Sequence, residues 1–157
     1  MKTFFRTLLT CLFLLGMING VSAHTRESAS DSDAITAVMK DLWDAPDNPL
    51  EVAPIVLSGE YGLAGWTQAT RGGRALLHKE SGHWSIVVCG GDNLKDSAVL
   101  MTTGMDHHTA QSLADGVKKA EASVPEAKLK LFSSFDGLIK VDSAQAKNEH
   151  AAHEHAH

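Results

Sequence analysis

Cysteine is scarce: the chain of 157 residues holds two, Cys11 and Cys89, too few for the disulfide framework that braces small secreted scaffolds. Clustered positive charge is missing as well. With 14 Lys and Arg against 19 Asp and Glu the formal charge is -5, and no basic group gathers beyond the extreme N-terminus. Recognition of a nucleic acid through its phosphates is therefore not expected. Long apolar runs are also lacking, since one segment, residues 8–18, is apolar over roughly half the length needed to cross a bilayer. What is present, 43% hydrophobic and 21% charged residues, fits one globular domain and excludes a multidomain enzyme.

Lys2 and Arg6 precede the apolar run, and Val21-Ser22-Ala23 sets small residues before His24, the layout of a secretory signal peptide over residues 1–23. The mature chain is then expected to be exported, periplasmic and soluble, with no stable membrane insertion. Cys11 lies inside the apolar run after Thr10, too early for lipid attachment, and is discarded with the leader. Cys89 then stands alone in an oxidising compartment, and an ordinary core has to hold the fold.

Residues 24–32 are Ser, Asp, Glu, Arg and Thr without apolar periodicity and read as a flexible arm. Ile35, Val38, Met39 and Leu42 recur at helical spacing, with Asp31, Ser32 or Asp33 as caps and Pro46 and Pro49 beyond, which predicts an amphipathic helix of about three turns. Residues 52–57, 61–67, 74–79 and 84–89 are β-prone, separated by turn signals at Ser58-Gly59, Arg71-Gly72-Gly73 and Ser81-Gly82, so a four-stranded antiparallel meander is expected. Alternation in its last strand puts Trp84, Ile86 and Val88 on one face, and His83, Ser85, Val87 and Cys89 on the other.

Asp92 is placed to cap a helix running to about Met101. A second helix is expected from Asp106 or Thr109 to about Ser123, with Leu113, Val117 and Ala120 on its apolar side and Lys118, Lys119 and Glu121 on its polar side. Pro125 opens a further turn or two through Leu129 and Phe132, and residues 138–141 return as a short strand. The sum is one α+β domain over residues 33–142, a small antiparallel sheet of four to five strands packed with helices at the N-terminus and after the meander. Residues 143–157 have no core to bury and read as a disordered tail.

That tail carries four of the nine histidines: His150, His153, His155 and His157. Imidazole nitrogen suits Cu(II), Ni(II) and Zn(II), and a cluster offers several donors without a folded cavity. An extended tail projects His153, His155 and His157 to one side and a helix projects His150, His153 and His157, so either conformation supplies three nitrogens. A solvated, weakly basic tail is the bland alternative. His24, as a mature N-terminus, chelates through its amine and ring together.

Met101, Met105, His107 and His108 gather thioether and imidazole donors between two expected helices, and thioether sulfur favours Cu(I). Both methionines serve equally as core or gap-filling residues. His78 and His83 flank a turn, where an antiparallel register can set their rings opposite one another. Cys89, at a strand end before a helix, is a buried side chain, a soft ligand, or the nucleophile of a thiol enzyme with His107 or His108 as base. The non-enzymatic readings are preferred.

Read in order, Ala34-Ile35, Val38-Met39-Lys40, Trp43-Asp44, Ala64-Gly65-Trp66-Thr67-Gln68, Gly72-Gly73-Arg74-Ala75-Leu76-Leu77, Val88-Cys89-Gly90-Gly91-Asp92 and Leu131-Phe132-Ser133-Ser134-Phe135-Asp136-Gly137 resemble the small periplasmic copper uptake system-associated proteins. The resemblance spans about residues 33–142 and is most specific at residues 72–77 and 88–92. It implies copper handling rather than a mechanism, and no catalytic motif comes with it.

The expected function is that of a periplasmic accessory protein. It captures Cu(II) or Cu(I) through histidines and assists copper uptake or transfer, with a copper importer or outer-membrane receptor as partner. Zn(II) or Ni(II) on the same imidazoles is the alternative load. An interaction or small-ligand module, with Trp43, Trp66 and Trp84 lining a pocket, is the alternative class.

Overall fold

The computed structural model describes residues 22–141, with side chains from residue 30 onward. The apolar run at residues 8–18, expected as part of a signal peptide, and residues 143–157, expected as a disordered tail, lie outside them. Helix α1 (Ser22–Trp43) starts well before Asp33, so residues 24–32, expected as an arm, are helical. A polar anchor that apolar periodicity does not register explains part of the extension. Asp31 Oδ1 accepts from Lys79 Nζ at 2.7 Å and from Trp84 Nε1 at 3.0 Å, docking the helix a turn before its first buried residue, Ile35. Asp31 is thus an anchor inside the helix rather than its cap. At the other end Gln68 Nε2 donates to Trp43 O at 2.6 Å and to Asn48 O at 2.8 Å, giving an end carbonyl the partner that the helix itself cannot provide.

Strands β1 (Glu51–Ser58), β2 (Tyr61–Gln68), β3 (Arg71–Glu80), β4 (His83–Gly90) and β5 (Leu138–Lys140) form one antiparallel sheet in chain order. The expected α+β class and all five strands are present. Ser81 and Gly82 both have positive φ, 51° and 81°, which matches the twist of a two-residue hairpin. The Gly72-Gly73 pair, expected in a turn, lies instead inside β3, and the chain reverses at Ala69-Thr70. Packing requires glycine there: a Cβ on Gly72 would meet Leu131 Cβ at 2.9 Å, and one on Gly73 would meet Phe135 at 2.9 Å and Trp66 at 3.1 Å.

Helices cover both faces of the sheet. On one, Ile35, Met39 and Leu42 of α1 pack on Ala64, Ala75, Leu77, Trp84, Ile86 and Cys89. On the other, Leu63, Leu76 and Val88 lie beneath α2 (Ser97–Met101) and α3 (His107–Glu121), against Leu94, Leu100, Leu113 and Val117. Each fully buried leucine contributes roughly 1.5–3 kcal/mol. Helix α4 (Glu126–Ser133) lays Phe132 over Gly65, where a Cβ would come within 2.9 Å of the ring.

A bulge decides the faces of β4. Leu76 pairs with Val88 but Leu77 pairs with Ile86, leaving Val87 as an extra residue. Trp84 and Ile86 therefore face α1 while Val88 faces α3, and Cys89 returns to the α1 face. Simple alternation had grouped Val88 with Trp84 and Ile86.

The helix expected from Asp92 to Met101 is two pieces, a 3-10 turn (Asp92–Lys95) and α2, and the cap is Asp96, whose carboxylate accepts from Ala98 N at 2.8 Å. Asp92 is engaged elsewhere: its Oδ1 receives Arg74 Nη1 at 3.1 Å, Lys95 Nζ at 2.8 Å and Ser133 Oγ at 3.0 Å. Asp106, one of the two expected starting points of this helix, is the cap of α3, accepting from His108 N at 2.9 Å and Thr109 N at 3.0 Å.

Arg74 is 1% exposed, and Glu121 clasps it with both oxygens, at 2.7 Å to Nε and 2.8 Å to Nη2. Glu121 thus points inward, not along the polar side of α3 as expected. It stands four residues after Val117, on the buried stripe. Replacing Glu121 with alanine leaves the guanidinium buried and unpaired. An unfolding titration should show a loss of about 3–5 kcal/mol. Asp92→Ala, at a carboxylate 53% exposed, should lose only about 0–1 kcal/mol. Equal losses in the two variants would contradict the central role given to the Arg74–Glu121 pair.

Candidate metal centre

The residues that sequence reasoning singled out do not converge. Cys89 is 5% exposed on the α1 face, among Ile35, Met39 and Ile86. Burial pushes its thiol pKa up to about 12, the opposite of the lowering expected for a thiol before a helix. Met105, also buried, belongs to the other face, packed with Leu100 and Ala110. The sheet lies between the two sulfurs. His107 and His108 are exposed in the first turn of α3, on the same side of the sheet as Met105, so neither stands as a base beside Cys89. Met101, at the end of α2, is 41% exposed.

His78 and His83 are not cross-strand partners. The tight turn pairs Glu80 with His83 and His78 with Ser85. His78 stacks on Tyr61 at 4.3 Å between ring centroids, with its Nδ1 3.3 Å from Glu80 Oε1, and His83 Nδ1 lies 3.0 Å from Ser81 O. Among the described residues no group of three or more His, Cys, Asp or Glu is arranged to hold a metal ion. His24 falls within α1, but its side chain lies outside the described ones, as do all of His150, His153, His155 and His157.

The tryptophans do not line a common pocket either. Trp43 and Trp66 are 6.5 Å apart between centroids, and Trp66 meets Phe135 edge-on at 6.0 Å. Trp84 stands at the other end of the same face, because it pairs with Lys79 while Trp66 pairs with Gly73. There it bonds Asp31 and lies under the Lys79 ammonium.

The charged assembly that sequence reasoning missed is the one around Arg74. Its signal was an arginine inside an otherwise small and apolar strand, Gly72-Gly73-Arg74-Ala75-Leu76-Leu77, together with a glutamate on the apolar stripe of α3. The guanidinium also lies 5.5 Å from the centre of the Phe132 ring. Partial burial pushes the Asp92 carboxyl up, but hydrogen bonds from Lys95 and Ser133 and the charges of Lys95 and Arg74 bring it below the usual carboxylate range. The hydrogen bond from Lys79 does the same for Asp31. All three guanidinium nitrogens of Arg74 and both oxygens of Glu121 are engaged within the fold, which makes the pair a structural lock rather than a ligand site.

The molecule is therefore an α+β protein whose core encloses the Cys89 thiol and the thioethers of Met39 and Met105, with His107, His108 and Met101 left at the surface. Models of protein families, curated proteins and solved structures were compared with the chain, and none matches it.

Two outcomes follow for Cys89. A thiol-specific disulfide reagent near pH 8 should modify it slowly in the folded protein and quickly in urea; fast modification of the folded form would reopen the nucleophile reading. In addition, an unfolded cysteine ionises near pH 9.0 while the folded thiol stays protonated to about 12. Between those values the unfolded state binds fewer protons, so stability falls as pH rises. Cys89→Ala should flatten that part of the stability profile, and an unchanged slope would mean that the thiol is not held protonated.

Proposed function

We propose that this is a periplasmic copper-binding accessory protein that captures copper through histidines and assists its uptake or transfer. The observation that carries the reading is the run of imidazoles at His150, His153, His155 and His157, which follows the folded domain after a short interval. The fold supports it in a negative way. Cys89, Met39 and Met105 are buried in the core, which leaves Met101 as the exposed soft donor among the described residues, so capture is assigned to the imidazoles. His107 and His108 are exposed donors of the same kind within the domain.

Transfer to an acceptor needs ligands that exchange, which accessible histidines provide and a closed four-ligand cage does not. Imidazole sites favour Cu(II) over Ni(II) and Zn(II) by the ordinary affinity order, so Cu(II) is the proposed load, with Zn(II) and Ni(II) as weaker competitors. The proposed acceptor is a copper importer or an outer-membrane receptor. Among the described residues no helix is long and apolar enough to cross a membrane.

The test is a competition titration with Cu(II), Cu(I) and Zn(II) of the chain from His24 onward. Beside it runs a variant in which His150, His153, His155 and His157 are serine. Loss of tight Cu(II) binding in the variant, with an unchanged unfolding midpoint, is the expected result. Binding retained in full would overturn the tail assignment and move attention to His107 and His108. No binding by either protein would replace copper capture with the interaction-module reading.

A further inference from the structure

We draw no further inference here: the strongest candidate, the outer edge of the short strand β5 (Leu138–Lys140), where Leu138 and Ile139 are exposed at the margin of the sheet, is an unpartnered apolar edge, and nothing in the structure shows what covers it.

Discussion

One buried ion pair, Arg74 with Glu121, sets the relation among most of the elements. The guanidinium belongs to β3 and the carboxylate to α3, and both bonds of the fork are short, 2.7 and 2.8 Å. Its third arm reaches Asp92, which opens the 3-10 turn after β4 and receives Ser133 of α4, while Phe132 of α4 lies against the same guanidinium. Removing such charges from water costs several kcal/mol per ion, and only good geometry recovers it. The pair is therefore better understood as a constraint than as a source of stability. Any arrangement that misplaces α3 on the sheet leaves a charge buried without its partner, and that arrangement is strongly disfavoured.

Close backbone approach is the second constraint, and it acts around the first. Gly65, Gly72 and Gly73 clear the strand surface beneath Phe132, Leu131 and Phe135, and Gly116 lets α3 come down onto Val56. With both faces of the sheet covered, its edges are what the described residues leave open. Strand β1 carries Pro54 and an irregular register between Val52 and Ile55, and β5 is three residues long and ends on Lys140. Short length, proline, bulges and lysine are the devices by which sheet edges avoid unwanted pairing.

The same architecture separates two kinds of metal donor. A thiol near pKa 12 in an apolar cluster is neither a nucleophile nor a ready ligand; Met39 shares that cluster but is itself fully buried, and the thioether of Met105 lies on the opposite face. Imidazoles are left outside the core. The proposed copper function accordingly asks the domain to be a stable body and the histidines to do the exchange, which agrees with ligands that must both take and release an ion.

Periodicity and turn chemistry are local, and they determined much of this protein from sequence alone. The α+β class, the meander order of β1 to β4, the start of α3 near Asp106 and the restart of helix at Pro125 are properties of neighbouring residues and are readable as such. Tertiary structure alone decided the rest, because each remaining feature depends on a partner distant in the chain. The bulge at Val87 exists only once β4 pairs with β3, and it reassigns the face of Cys89. Gly72-Gly73 looks like a turn until Leu131 and Phe135 are packed on it. Asp31 looks like a cap until Lys79 and Trp84 reach it. Glu121 looks solvated until Arg74 is found, 47 residues away, carrying a charge that the core cannot leave alone.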